Sequence, residues 1–325
     1  MSESRSSILD GWRGISITLV LLGHLFPLGP KSWQMNASVA AAGMAIFFIL
    51  SGFLITSLLL RNQNISYFLI RRFLRIIPLA WLAIIISLSA FQANKALYLP
   101  HLLFYANLAP VALADYTGHL WSLCVEMQFY VAIALLVGIF KQKAFWILPI
   151  LAACVTLFRF ANNVEMSITT YYRIDEILAG AILALTNHHA SSHVKNLIAR
   201  LPVVIIFGLL LASAHPNGGL LNYFRPYFAM LMIASTLFSS QDKTLNTKWY
   251  MPMLNSRMLF YLASISYALY VIHGVLGNTW LGEGEVMEKY LKRPLLLAVT
   301  FGLAHISTFY YEKYWINLGK KLTSK

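Results

Sequence analysis

The sequence predicts an all-α integral membrane protein. It should hold about ten transmembrane helices in a single domain over residues 1–325, with both termini on the cytoplasmic side. Three observations predict this. Of the 325 residues 58% are hydrophobic and only 11% charged, where a soluble domain carries about 25% charge; the mean hydropathy is +0.65. Apolar windows of ~20 residues, the length that crosses a bilayer, recur along the whole chain. Lys and Arg are distributed unequally between the two sets of connecting loops, as the positive-inside rule requires. A formal net charge of +13 would suggest nucleic acid for a soluble protein. Here it follows from basic loops beside a bilayer, so the expected partner is lipid and no nucleic acid is expected.

The candidate spans in order are 11–28, 38–60, 70–91, 119–140, 144–160, 171–186, 201–215, 223–240, 258–281 and 294–316, with the fifth to seventh short. The N-terminus lacks a basic n-region and a small-residue cleavage site, so the first window is an uncleaved span rather than a signal peptide. Residues 96–114 are apolar but broken by Pro100 and Pro110. They suit a short interfacial or re-entrant piece, tolerated only where it packs against protein. With the N-terminus inside, sixteen of the 25 Lys and Arg fall on the inner side and eight on the outer. No stretch outside the spans is long enough for a fused soluble domain. Cys124 and Cys154 lie in apolar runs and form no disulfide framework and no metal spacing, so no metal site is expected.

Ionisable residues inside spans are rare, and each is a functional-site candidate. Arg13 and His24 share the first span, eleven residues or roughly 16 Å apart along a helix. His24 lies about 20 Å up from the inner end, and Glu126 roughly 10 Å down from the outer end of the fourth span. In a ~30 Å hydrocarbon core these are one level. Asp175, near the outer end of the sixth span, and His273, in the outer half of the ninth, join the same layer. A carboxylate beside an imidazole fixes its tautomer and raises its basicity, which makes a general base. For each group a structural role stands beside the functional one. His24 and His273 could be packing histidines, Glu126 a partner of Tyr130 or Trp121, and Arg173 with Asp175 a local ion pair. At the inner end of the third span stand Arg71, Arg72 and Arg75. They could be ordinary flanking charges or, with Arg13, an anion site, since guanidinium groups bind phosphate bidentately. Ser51 and Gly52 stand mid-span, where small residues let helices, or a thin ligand, approach closely.

Several stretches resemble the membrane-bound acyltransferase family 3. They are LDGWRG followed by a histidine (Arg13, His24), FFILSGFLIT (Phe47 to Thr56), RRFLRIIP (Arg71 to Pro78) and WSLCVEMQFY (Trp121, Glu126, Tyr130). RIDEILAG (Arg173, Asp175, Gly180) and SYALYVIH (Ser266, Tyr267, Tyr270, His273) complete the set. The resemblance covers most of the chain in the same order. One departure is that Glu312 is followed by Lys313 and Tyr314, where the family often has Glu followed closely by Pro. No role is therefore carried over to Glu312.

The resemblance implies an enzyme of the bacterial cytoplasmic (inner) membrane. It would move an acyl group, usually acetyl, from cytoplasmic acyl-CoA to a hydroxyl of an extracytoplasmic or lipid-linked cell-surface carbohydrate. Acetyl-CoA is then the donor substrate and a glycan the acceptor partner. Arg13, Arg71, Arg72, Arg75 and Ser51 would hold the donor. His24 and Glu126 would be catalytic, with an acyl-His intermediate as the variant mechanism. Trp121, Tyr130, Arg173, Asp175 and His273 would face the acceptor. The alternative class is a proton-coupled transporter, since in-membrane His, Glu and Asp also build proton relays. The sequence shows no internal repeat of the kind carriers often use, and a carrier leaves the arginine cluster unexplained. A third class, a non-enzymatic scaffold, makes His24 dispensable beyond stability.

Overall fold

In a computed structural model the described residues are 7–111, 113–242, 245 and 248–324. Arg5, Lys243 and Lys325, counted on the inner side above, lie outside them. All regular structure among the described residues is helical. The first helices are α1 (Ser7–Leu25), α2 (Met35–Arg61), α3 (Ile65–Ala90), the short α4 (Tyr98–Leu102), α5 (Trp121–Phe140), α6 (Ala144–Ala161) and the single turn α7 (Thr170–Arg173). There follow α8 (Asp175–His189), α9 (Ser192–Ala199), α10 (Val203–Ala214), α11 (Arg225–Gln241), the single turn α12 (Met251–Leu254), α13 (Arg257–Gly277), α14 (Val286–Ile306) and α15 (Lys313–Leu322). A π-helical turn, Ser307–Glu312, joins the last two.

The chain forms two compact units. The first takes residues 1–62, 142–167 and 171–264. Its core is built from α1, α2, α8, α10 and α11, with Ile46, Ile49, Ala179, Leu210 and Met232 all fully buried. The tract around Gly52 sets the central contact. A β-carbon at Gly52 would lie 1.9 Å from the Ile177 carbonyl oxygen, and one at Gly180 would lie 2.2 Å from that of Ile49. Helices α2 and α8 thus meet backbone to backbone, as small residues permit in membrane bundles. At Gly52 the close approach left open by the sequence is helix on helix. Trp12 on α1 donates its indole N–H to Thr236 Oγ1 of α11 at 2.8 Å, satisfying a buried donor that would otherwise be costly.

The second unit takes residues 63–141, 168–170 and 265–325. Helix α5 is two-faced. Ile133 and Val137 are fully buried, while Leu135 and Ile139 are 61% and 69% exposed. Apolar side chains on the outside suit lipid, where a soluble helix would carry charge. The proline-broken segment packs inward as expected of a re-entrant piece. Phe104, Ala106 and Asn107 are buried, and Gln128 Nε2 on α5 donates to the Phe104 carbonyl at 2.8 Å and to Asn107 Oδ1 at 2.9 Å.

Among the described residues six helical stretches are long and apolar enough to cross a membrane, or seven if the pair α9–α10, bent by 74°, counts as one span. About ten were expected. The expected spans 119–140 and 144–160 fall in one helical run, Asp115–Ala161. The expected 171–186 is broken at Ile174, leaving α8 with 15 residues and Asp175 and Glu176 in its first turn. Helix α11 has 17 residues, several of them Ser and Thr. Helices of that length fall short of the ~30 Å core. The chain is a multi-pass membrane protein with several shorter helices packed among its spans.

Candidate active site

In the second unit α3 begins at Ile65, five residues before the expected span. Arg72 and Arg75 therefore stand seven and ten residues inside the helix, roughly 10 and 15 Å from its start. This corrects the expected separation of an inner arginine end from an outer carboxylate layer. The Arg72 guanidinium lies over the Tyr130 ring, 6.0 Å from its centroid, within cation–π range. Tyr130 is 1% exposed, packs edge-on against Phe68 at 5.8 Å, and donates its hydroxyl proton to Glu126 Oε1 at 2.6 Å. Glu126 and Tyr130 are four apart and so share one face of α5. Arg75 lies within electrostatic reach of Arg72, Tyr130, Glu126 and Glu312. Arg71 faces elsewhere: its Nε donates to Thr323 Oγ1 at 2.6 Å, tying α3 to the end of α15. Tyr267 on α13 donates to the Ile76 carbonyl at 2.6 Å, fixing α13 against α3 one residue beyond Arg75.

Around the start of α5 a second polar group forms. Ser122 Oγ donates to Tyr270 Oη at 2.7 Å, and Tyr270 Oη donates to the His119 carbonyl. His273 is 2% exposed, and its Nδ1 is 3.1 Å from the Leu269 carbonyl. A carbonyl can only accept, so Nδ1 is the donor in that contact. The His119 and His273 rings are 5.6 Å apart. Trp121 is half-buried at the first position of α5.

In the first unit His24 is exposed in the last turn of α1. Its position is set by Asn36 at the start of α2. Asn36 Nδ2 donates to the Gly23 carbonyl at 2.8 Å and the Phe26 carbonyl at 2.5 Å, and its Oδ1 accepts from Leu28 N at 3.1 Å. Terminal carbonyls of a helix lack intrahelical partners, and Asn36 supplies one from outside. Arg13 Nη1 reaches Asp10 Oδ1, one turn earlier, at 3.4 Å. Ser51 is 9% exposed within α2.

Arg173 and Asp175 are buried, at 3% and 0% exposure, and lie within electrostatic reach of one another. Arg159 Nη1 donates to Asp175 Oδ2 at 2.5 Å, and its Nη2 donates to the Glu165 and Asn222 carbonyls at 2.5 and 3.2 Å. Arg225 Nε donates to Glu176 Oε1 at 2.7 Å, and Arg173 Nε lies 3.3 Å from Glu176 Oε2. This network pins the end of α6 to the starts of α8 and α11. Charges buried this deeply persist only when paired.

Sequence reasoning missed Asn36, Arg159, Glu176, Arg225 and Glu312. Glu176 carried a signal, an acid beside Asp175 at a helix start. Arg159 and Arg225 look like loop-flanking cations in the sequence, and nothing local reveals their burial.

Arginines and an acid gathered inside the helices of a multi-pass membrane protein mark a candidate functional site. Residues 7–315 match the acyltransferase 3 family, described as an acyltransferase domain, and the chain belongs to that family. A Staphylococcus aureus (strain COL) protein provisionally named an O-acetyltransferase is 25% identical over an alignment covering 82% of this chain and 49% of its own length. The Bacillus subtilis protein provisionally named peptidoglycan O-acetyltransferase YrhL is 30% identical over 54% of this chain and 32% of its own. Nodulation protein 10 of Rhizobium leguminosarum is 27% identical over 34% of this chain and 37% of its own. The chain spans about half the length, or less, of these curated relatives. No solved structure matches it.

Proposed function

We propose that the chain is a membrane O-acyltransferase of the bacterial cytoplasmic membrane. It transfers an acetyl group from acetyl-CoA to a hydroxyl of an extracytoplasmic or lipid-linked cell-surface carbohydrate. The observation that supports this reading best is the group Arg72–Tyr130–Glu126, a guanidinium, a phenol and a carboxylate in sequence inside membrane helices. Arginine binds phosphate in a planar fork, and a donor carrying several phosphates gives cations inside a membrane helix a purpose that lipid does not.

In the proposed mechanism His24 takes the proton of the acceptor hydroxyl as general base. The hydroxyl oxygen attacks the thioester carbonyl and forms the new ester C–O bond. The C–S bond breaks, and the CoA sulfur leaves with the proton returned from His24. Glu126, held by Tyr130, orients the imidazole and stabilises its charged form. This pairing rests on the matched depth of His24 and Glu126 in the sequence. Arg72, Arg75 and Arg13 bind donor phosphates, and Trp121 offers a ring face to the sugar.

Isolated membranes supplied with radiolabelled acetyl-CoA test the reading. Label should pass to a glycan fraction only where the chain is present. Membranes that contain the chain and move acetyl-CoA or solute without labelling glycan would overturn it in favour of the transporter class.

A further inference from the structure

His24 stands in the last turn of α1, the part of a helix that frays most readily. The final carbonyls of a helix have no partner within it. Pro27 cannot extend the helix, and Phe26 before it is biased toward extended backbone. Asn36, in the first turn of α2, closes this end from outside. Its Nδ2 donates at 2.8 Å to the Gly23 carbonyl, which belongs to the peptide group that joins Gly23 to His24. The same nitrogen donates to the Phe26 carbonyl at 2.5 Å, and Oδ1 accepts from the Leu28 N–H at 3.1 Å. One side chain thus holds the backbone on both sides of His24. The helices are pressed together at the same point. A β-carbon at Gly23 would lie 2.7 Å from both the Asn36 carbonyl oxygen and the Ala40 β-carbon.

Asn36 is itself held in place. Ser38, 1% exposed, donates its hydroxyl proton to the Leu211 carbonyl of α10 at 2.8 Å. His215 Nε2, just beyond the end of α10, donates to the Trp33 carbonyl at 2.9 Å. The start of α2 is therefore fixed to α10, and one helical turn and more below it Ser16 Oγ of α1 donates to the Gly43 carbonyl of α2 at 2.8 Å. All these residues belong to the first unit. A plain helix cap needs one donor. Asn36 commits both its amide nitrogen and its oxygen to residues 23–28, whose one ionisable side chain is His24. The clasp fixes where the His24 backbone stands relative to α2, while the ring stays exposed. A base that meets an exchanging substrate needs such a fixed origin, because a displacement of ~1 Å can cost about a hundredfold in rate.

We propose that Asn36 is a positioning residue for His24. It keeps the last turn of α1 wound, so that the imidazole meets the acceptor hydroxyl at one place. This rests on the reading of His24 as general base given above. In membranes or purified full-length chain at matched abundance, Asn36→Ala should lower kcat for acetyl transfer about ten- to a hundredfold. The KM for acetyl-CoA should stay within about twofold. Asn36→Asp keeps the shape and the bond from Leu28 but has no amide protons to donate, so it should be no better than Asn36→Ala. In the His24→Ala background, adding Asn36→Ala should cause no further fall in the residual transfer, since a residue that acts through another loses its effect with it. Losses that multiply in the double variant, or a wild-type kcat in Asn36→Asp, would overturn the proposal. If neither Asn36 variant accumulates, hydrogen exchange in the wild-type chain decides. The Leu28 amide should exchange at least about tenfold more slowly than an open loop amide, and exchange at the open rate refutes the clasp. Full transfer by His24→Ala would overturn the general-base reading and this proposal with it. An inactive His24→Ala beside a fully active Asn36→Ala would overturn the positioning role alone.

Discussion

Replacing Gly52 by Ala tests how tightly the first unit is built. The added β-carbon would lie 1.9 Å from the Ile177 carbonyl oxygen and 2.9 Å from its carbon. Both are backbone atoms inside α8, so no side chain can swing away. An ordinary carbon–oxygen contact is about 3.3 Å or longer, so α2 and α8 must part by more than about 1 Å. Interiors are packed like organic crystals, and such a shift also disturbs the neighbouring contact of Gly180 with Ile49. Overpacking of this kind typically costs about 1–3 kcal/mol, and a contact limited by backbone belongs at the upper end. For a chain of this size each kcal/mol lowers the thermal midpoint by roughly 2 °C. The expected fall is thus about 4–6 °C, read as the loss of monodisperse protein on heating the detergent-solubilised chain. Gly208→Ala is the control: its β-carbon meets nothing within 4 Å, and alanine is the better helix former, so its midpoint should hold or rise. A Gly52→Ala midpoint within about 1 °C of wild type would refute the backbone contact between α2 and α8.

Further outcomes follow from the same geometry. Arg159→Met strands Asp175 without its cation and breaks the bonds to Glu165 and Asn222; loss of a buried pair costs about 3–5 kcal/mol, so the variant should accumulate poorly in membranes. Trp12→Phe removes the bond to Thr236 and part of a ring packed in the core, so it should cost more than the ~1 kcal/mol of the bond alone, a midpoint fall above roughly 2 °C. Arg72→Ala should raise the KM for acetyl-CoA about tenfold, whereas Arg71→Ala, whose Nε already serves Thr323, should change it less; the two titrations in parallel decide. Tyr130→Phe leaves Glu126 without its phenolic donor and should lower kcat by about ten- to a hundredfold, within the range set by one hydrogen bond to a charged group.

Much of this was legible in the chain. The long spans needed only apolar length; in-membrane charge singled out Glu126, and clustering at a span end singled out the α3 arginines. Their relation was not legible. The sequence suggests that Arg72 marks the inner membrane face, because flanking cations usually do; the helix in fact starts at Ile65 and carries Arg72 deep enough to lie over Tyr130. The short helices were over-counted because apolar windows do not register a break such as that at Ile174, or acids such as Asp175 and Glu176 that are buried only because Arg159 and Arg225 reach them. Asn36 could not be found by pattern at all. Its role depends on where α1 ends relative to the first residues of α2.

The central claim is that His24 performs the proton transfer while the arginines hold the donor. Its most direct test is acetyl transfer to glycan by His24→Ala, measured at matched membrane abundance and saturating acetyl-CoA. The account predicts transfer reduced by at least about a hundredfold, the contribution of a positioned general base, with CoA still protecting the variant from thermal unfolding. Transfer at the wild-type rate in that variant would contradict it.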